Sequence, residues 1–502
     1  MRAPYPRDTA RTKAAQEAAG EGHKRIRGRA VQAQRGRPEE KKQRKGRARE
    51  IDVDYIDFLK SKQIEQKTCG FEPEELNKSL FPWQRAVVSW AVRKGRAALF
   101  EDCGLGKTLQ QLEWARQVCR HTNGKALILA PLAVAKQTAQ EGVKFGIKVN
   151  ICRSQNDVTD GINITNYEML EHFDASAFDG VVLDESSILK SYMGKYKREF
   201  TKAFADTPYK LSCTATPSPN NHLEILNQAE FLGIMKSSEA LAIWFINDGK
   251  QAGNYRLKKH AVKSFWEWVS TWAICMSKPS DIGFGDEGYN LPELREYVEV
   301  VPGDEMPQKI NATTYHRCMK NSAEERVKKT AEIVDKIDGQ VVVWCNTNDE
   351  ADMLKAAIPE AIEVRGSHSA EFKERAAIDF INGKYRVLIS KPTMFGYGLN
   401  FQNCCDTVFC GRDFSYENYY QATRRFWRFG QEHDVNVYTV IGEGERQILE
   451  NVNGKIKLQE EMKNNMYSGL KQIQINSIQG HEFKLNINTE AITLPKWLKM
   501  GA

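Results

Sequence analysis

Two short stretches hold residues that could do phosphate chemistry. In the first, Gly104-Leu105-Gly106-Lys107-Thr108 follows an apolar run, Ala97–Phe100, that reads as a short buried strand. Leu109, Leu112, Ala115 and Val118 then recur every three residues, close enough to helical spacing to mark a core-facing stripe. Strand, glycine turn and helix make a cradle. Gly104 and Gly106 let backbone N–H groups close on phosphate oxygens, and the helix N-terminus adds a positive dipole end. Lys107 would reach the β- and γ-phosphates of a nucleotide, and the Thr108 hydroxyl would ligate Mg²⁺. Glu101 stands where the strict pattern G-x-x-x-x-G-K-[ST] has its first glycine, so the turn alone fits a capped helix start as well as a phosphate site.

The second stretch, Gly180-Val181-Val182-Leu183-Asp184-Glu185, sets two acids at the carboxyl end of an apolar strand, where parallel α/β sheets place ligands. Asp184 would hold the Mg²⁺ through water, and Glu185 would orient an attacking water. A pair that caps the next helix is the alternative. Gln84 precedes the phosphate strand, in Leu80-Phe81-Pro82-Trp83-Gln84-Arg85. Its amide offers donor and acceptor together and can meet both the ring nitrogen and the exocyclic amine of adenine. Taken alone, it equally fits an ordinary surface position.

The elements that must position these groups alternate. After the helix Ala86–Val92 and the phosphate unit come strands Ala126–Pro131 (with its loop), Val149–Cys152, Gly161–Thr165 and Lys210–Cys213, the last ending in Thr214-Ala215-Thr216-Pro217. Strand and helix patterns at this spacing predict a parallel sheet covered by helices on both faces. From Leu294 to Asp338 the chain turns helical and charged, like a connection. A second unit follows, with strands Val341–Cys345, Ala361–Val364, Tyr385–Ser390, Val408–Cys410 and Val435–Ile441 and helices Asp349–Ala357 and Ala370–Phe380. Between the units, Phe265, Val269, Trp272 and Met276 mark one helical face and Trp266 and Trp268 lie on others. A helix apolar all round is usually buried, so the region reads as an accessory packing element rather than a base-stacking wedge.

A chain of 502 residues with 41% apolar content supports several cored domains. No apolar run approaches the roughly 18 residues of a membrane span. The Arg-rich start has no apolar segment of a secretory signal. The eleven cysteines contain no C-x-x-C pair, which fits a reducing cytosol better than a disulfide framework. Charge is unevenly placed. Residues 1–50 hold 16 Lys/Arg against 6 Asp/Glu, so a chain of net +7 carries its whole excess in that tail. Poor in aliphatic and aromatic residues, the tail cannot bury a core. It reads as a disordered basic arm, either a nonspecific phosphate binder or a solvated leader.

Between Tyr420 and Gln431 stands YQATRRFWRFGQ. Together with LFPWQRAVVSWA, EDCGLGKT, ALILAPLAVA, ITNYEML, VVLDESSILK, LSCTATPSPNN, VVVWCN, RGSHSAEFKERAAIDF and SKPTMFGYGLNF, in that order, it resembles the superfamily-two helicase-like ATPases. The likeness is closest to their Swi/Snf-related branch, including phage and bacterial helicase proteins of DEAD/DEAH-box type, and covers roughly Phe71 to Val440. The resemblance implies an α/β fold of two tandem RecA-like parallel-sheet lobes of P-loop type, with ATP and Mg²⁺ in the cleft and nucleic acid across both lobes. Carried over by position, Gln84, Gly104, Gly106, Lys107, Thr108 and Gly398 would bind the nucleotide, and Thr108 and Asp184 the Mg²⁺. Asp184 and Glu185 form the Walker B pair, and Gln421, Arg425 and Arg428 complete the site from the second lobe. Thr214, Thr216 and Asn400 would couple it to nucleic acid, with Gly396 and Gly398 in the same element as Asn400. Arginines roughly 300 residues beyond Lys107 cannot share its strand–helix–strand unit, so they must meet it across a cleft. Ser186-Ser187 replace the common Ala-Asp or Ala-His, and Arg424 also fits a helix packed on acidic neighbours.

The expected organisation is a basic disordered tail (1–50), a first lobe (51–290) with a Trp-rich accessory insertion at about 231–290, a helical connection (291–338), a second lobe (339–457) and a C-terminal tail (458–502). The expected function is an ATP-dependent DNA translocase or helicase on duplex DNA. The alternatives are a motor subunit of a restriction or replication assembly, or a nucleotide-gated DNA-binding module with little turnover. Further expectations are a cytoplasmic location, that of the bacterial host if phage-encoded, no membrane, and a protein partner at the Trp-rich insertion or the C-terminal tail; the tail, ending in Leu494-Pro495-Lys496-Trp497-Leu498, docks either on the body or on that partner.

Overall fold

The computed structural model describes residues 68–481, apart from 132–133, 191–193, 219–220, 248–254, 304–311, 396–399, 414, 447–448, 451–452, 455 and 458–469. The basic tail, Gly396, Gly398 and the Leu494–Leu498 segment lie outside the described residues.

Two parallel sheets carry the fold. Aliphatic runs such as Gly180–Asp184 and Val341–Trp344 are buried along their whole length, as strands covered on both faces must be. The first sheet is built from β1 (Arg96–Glu101), β2 (Lys125–Ala130), β3 (Val149–Ile151), β4 (Gly161–Asn166), β5 (Gly180–Asp184) and β6 (Tyr209–Thr214). A small antiparallel hairpin, β7 (Phe245–Asn247) with β8 (Tyr255–Leu257), stands apart from the sheet, and β9 (Ala273–Met276) closes its edge. The order is β3-β4-β2-β5-β6-β1-β9, parallel throughout. Register sets Phe100 opposite Thr214, and Asp184 opposite Cys213. The phosphate turn, the two acids and the threonine pair therefore leave three adjacent strands at one end of the sheet.

The second sheet contains β10 (Leu294–Val301), β11 (Val341–Trp344), β12 (Ile362–Glu363), β13 (Val387–Ser390), β14 (Asp406–Cys410) and β15 (Val435–Gly442), in the order β10-β15-β14-β11-β13-β12 and again parallel. The helix Tyr416–Thr423 follows β14. Among the described residues no helix is long and apolar enough to cross a membrane.

Two expected elements need correction, and the C-terminal tail has a described place. The stretch 291–338 is not a helical connection: Leu294–Val301 pairs residue for residue with β15, and Val327, Ile333 and Val334 of the helix Ala323–Asp335 enter the core of the second sheet. Its alternating charges suggested a solvated helix because an edge strand also exposes most of its side chains. The helical face expected in the Trp-rich stretch is shorter than its spacing suggested. Its helix stops at Ser270, and Ala273–Met276 becomes the edge strand beside β1, so Trp272 and Met276 do not extend the helical face. Trp244, Trp266, Trp268 and Trp272 are fully buried, and Trp244 stacks on Trp268 with ring centres 4.6 Å apart. Packing accounts for them, and they offer no ring to a base or partner.

The C-terminal tail, finally, is partly a piece of the first lobe. The helix over 470–478 lies on the β9 edge. There the Gln474 side chain accepts from the Cys275 N–H (2.6 Å) and donates to the Cys275 carbonyl (3.1 Å). One amide thus replaces the backbone partner that an edge strand lacks. Trp90 Nε1 donates to Ser477 Oγ at 2.8 Å, and Ile478 joins the first core.

Candidate nucleotide cleft

The turn after β1 is left-handed at Gly104 (φ 88°) and Gly106 (φ 74°), a conformation glycine adopts without a Cβ penalty. Space demands glycine there too. A Cβ on Gly104 would lie 3.0 Å from the backbone nitrogen of Phe429 in the second lobe, and one on Gly106 would lie 2.5 Å from Gln84 Nε2. Lys107 begins the helix Lys107–Thr122 and folds back, donating to the carbonyls of Glu101 (2.8 Å) and Asp102 (3.0 Å). Glu101 is buried beneath the turn, where Gln110 donates to it at 2.8 Å. Burial pushes its carboxyl up to about 7 against the opposing pull of Lys107. The residue that breaks the strict glycine pattern is thus the last of β1 and turns its side chain into the lobe.

Asp184 ends β5, and Glu185 follows with φ 56°. A left-handed non-glycine residue is a strained position of the kind that gathers at functional sites. Its neighbours hold it. The Tyr167 hydroxyl donates to the Asp184 carbonyl, and Thr214 Oγ1 donates to Glu185 Oε2 at 3.3 Å while accepting from the Thr216 N–H at 3.1 Å. Burial raises the proton affinity of both acids. Asp184 is raised further by the charge of Glu185, whereas Lys107 and Arg425 oppose the rise at Glu185.

Arg425 and Arg428 enter from the second lobe. Arg425 Nη2 donates to Gln421 Oε1 (3.0 Å) and its Nε to the Gln421 carbonyl (3.2 Å). Burial, then the neighbouring charge of Arg425, lowers Arg428 to about 10. The two guanidinium groups share the cavity with Asp184, Glu185 and Glu141, so both signs of charge face the same space. Arg424 turns elsewhere, meeting Asp102 Oδ2 (3.3 Å) and the Cys103 carbonyl (3.1 Å), while the Tyr420 hydroxyl donates to Asp102 Oδ1. The acidic-neighbour reading of Arg424 describes this geometry.

One cavity of about 110 Å³ gathers these groups. Gly104, Gly106, Lys107, Thr108, Asp184, Glu185, Arg425 and Arg428 line it together with Cys103. A wall not foreseen from sequence comes from Val134 and the helix Ala135–Lys144, through Gln137, Thr138 and Glu141. Their i, i+1, i+4 spacing on one helix face was the available signal. Not every expected residue reaches the cavity. Gln84 accepts from the Phe81 N–H (2.9 Å) and donates to the Leu105 carbonyl (2.9 Å), which ties one lone pair of its amide to Phe81 and one N–H to the phosphate turn. Gln421 lies behind Arg425 and its Nε2 is buried without a protein partner. Thr214 and Thr216 touch the site through Glu185, and Asn400 stands off it, bonded to Gln402 at 2.6 Å.

Comparison with known proteins matches residues 83–259 to the SNF2-related domain and residues 308–430 to the helicase conserved C-terminal domain. The chain is 25% identical over 466 residues to the ATP-dependent helicase YqhH of Bacillus subtilis (strain 168), covering 80% of this chain and 82% of that protein. It is 21% identical over 471 residues to protein p41 of Acyrthosiphon pisum secondary endosymbiont phage 1, covering 76% and 96%. Among solved structures, the Sulfolobus solfataricus SWI2/SNF2 ATPase core in complex with dsDNA aligns at 18% identity over 81% of this chain and 98% of that one, with a TM-score of 0.39.

Proposed function

We propose that this chain, which belongs to the Swi/Snf-related branch of the helicase-like ATPases, is a motor that hydrolyses ATP between its two lobes and moves on duplex DNA. The observation that carries the reading is the single cavity in which the phosphate turn and strand-end acids of one lobe meet two arginines of the other.

The residues fit a magnesium nucleotide. Among the described residues no group of three or more His, Cys, Asp or Glu side chains could hold a metal alone. Mg²⁺ commonly binds through one or two carboxylates together with substrate phosphates, and Thr108 and Asp184 supply that partial set. When bound, the ion would offset charge on the phosphate oxygens. Lys107 exchanges the carbonyls of Glu101 and Asp102 for β- and γ-phosphate oxygens. Glu185, oriented by Thr214 and with its proton affinity raised by burial, holds the attacking water and takes its proton as the bond to the γ-phosphorus forms and ADP departs. Arg425 and Arg428 stabilise charge on the transferring group, a contribution of about 10³–10⁵ in rate. Gln421, behind Arg425, acts through it by holding the guanidinium with its two oxygens.

Because the arginines and the acids belong to different lobes, hydrolysis requires closure and product release permits opening. That alternation is the stroke. Thr214 and Thr216 on one lobe, and Asn400 with the glycine segment 396–399 on the other, transmit it to DNA lying across both.

The test is ATP turnover without nucleic acid and with single-stranded DNA, duplex DNA or RNA, alongside triplex-displacement and strand-separation assays. Duplex DNA should stimulate most, and ATP should drive displacement of a third strand. Stimulation by RNA alone, or strand separation without triplex displacement, would refute a duplex translocase.

A further inference from the structure

Beside the cleft, one carboxylate of the second lobe is held entirely by the first. Glu417, in the first turn of the helix Tyr416–Thr423, is 5% exposed. Ser187 Oγ donates to its Oε1 and Lys190 Nζ to its Oε2, each at 2.7 Å. Neither residue was singled out by its sequence as a bonding group, and none of the three lines the cavity.

Both ends of this contact rest on residues of the site. Ser187 and Lys190 belong to the short helix Ser186–Lys190, which starts directly after Glu185. That helix is pinned from behind, where Gln228 Nε2 donates to the Ser186 carbonyl (2.8 Å) and Asn227 Nδ2 to the Leu189 carbonyl (2.7 Å). On the other side, Glu417 lies one turn before Gln421 on the same helix face. Gln421 in turn holds Arg425 through its carbonyl and amide oxygens. A continuous line of bonds thus runs from the turn that carries Glu185, across the cleft, to the arginine that faces it. Ser187 is buried, whereas Lys190 is half-exposed, so the hydroxyl has the less screened bond.

We propose that Glu417 is a positioning residue for ATP hydrolysis, a latch whose bonds to Ser187 and Lys190 set the second lobe at the distance where Arg425 faces the acids. The inference rests on the motor reading above. The latch closes when the lobes meet and must break when they part, so it belongs to the stroke as well as to the chemistry. A short hydroxyl suits position 187 because an acid there would face Glu417 carboxylate to carboxylate.

The experiment uses the full chain with Glu417→Ala, Lys190→Ala, Ser187→Asp, the double variant Ser187→Ala/Glu417→Ala and the swap Lys190→Glu/Glu417→Lys. The readouts are kcat and KM for ATP at saturating duplex DNA, and the affinity for a fluorescent ATP analogue. Hydrogen bonds to a charged group are strong enough that Glu417→Ala should lower kcat by about 10- to 100-fold, with analogue affinity within about threefold. The double variant should be no worse than Glu417→Ala alone, and the swap should recover most of the loss. Unchanged kcat in Glu417→Ala, additive losses in the double variant, or equal losses in kcat and analogue affinity would overturn the latch. Additive losses in the double variant of a chain that hydrolyses ATP refute the latch alone. Absence of hydrolysis by the wild-type chain with every nucleic acid refutes the motor reading, and the proposed role of Glu417 with it.

Discussion

Gly104→Ala separates the phosphate turn as a nucleotide site from the same turn as a contact between lobes. Alanine at φ 88° carries a left-handed penalty of about 1–2 kcal/mol, a cost to the first lobe alone. Its Cβ would also stand 3.0 Å from the Phe429 backbone nitrogen and 3.4 Å from Arg428 Cβ. Backbone cannot rotate out of the way, so closure must stop a few tenths of an ångström short, or the segment carrying Arg428 must shift. Misplacing a reacting group by about 1 Å costs up to about 10² in rate, so a smaller displacement should lower DNA-stimulated turnover by roughly 10-fold. Equilibrium affinity for a fluorescent ATP analogue should fall less, because Lys107 and Thr108 remain in place. Gly106→Ala is the control. Its Cβ meets Gln84 Nε2, within the first lobe, so nucleotide affinity should fall with turnover. Turnover within twofold of wild type in Gly104→Ala, with unfolding free energy lowered by the expected amount, would refute the argument that this turn is pressed against the second lobe during hydrolysis.

Lys107→Ala should abolish hydrolysis, whereas Glu185→Gln should still bind ATP and fail to turn it over; near wild-type turnover by either folded variant in a steady-state phosphate assay would count against the site. Arg425→Ala and Arg428→Ala should each lower turnover by about 10³-fold or more while barely changing ATP affinity. Glu101 titrates at about 7 when folded and at 4.5 ordinarily, so the folded state binds its proton more tightly and stability is lost as pH rises from about 4.5 through 7. Glu101→Gln should therefore match wild type near pH 5 and exceed it at pH 8 by about 3 kcal/mol, read from urea unfolding at both pH values; an equal difference at both would show that the carboxyl ionises freely. Deleting residues 1–50 should weaken DNA binding and flatten its log–log salt dependence while leaving turnover at saturating DNA nearly unchanged, and an unchanged salt slope in duplex titrations would mean that the tail does not touch phosphate.

How much of this was legible followed from whether a local signal existed. The stripe of Leu109, Leu112, Ala115 and Val118 is buried along the helix that Lys107 starts, and the runs before Asp184 and Thr214 are the strands their apolar composition predicts. Those patterns are short-range, because a strand–turn–helix unit positions its own end residues. The strand Leu294–Val301 hid because it is exposed for most of its length and pairs with a partner 141 residues away, Leu294 with Val435. Alternating charges carry no sign of that distant ladder. The covering of β9 by Gln474 was equally hidden, since a single amide on a late helix replaces a strand. Gln84 shows the complementary limit. Its residue type, which can meet adenine, can equally bind a backbone N–H and a carbonyl of the turn it adjoins, and only the fold shows that it does. At the cleft the same division has a functional meaning. Each lobe's own groups were readable from short spacings, but the contacts joining them, Arg424 to Asp102 and Glu417 to Ser187 and Lys190, pair residues separated by more than two hundred positions. Aromatic packing joins the lobes as well, with Phe429 lying 4.7 Å from Tyr289 between ring centres, and it too pairs residues far apart in the chain. Contacts of this second kind, polar or aromatic, leave no mark in short spacings.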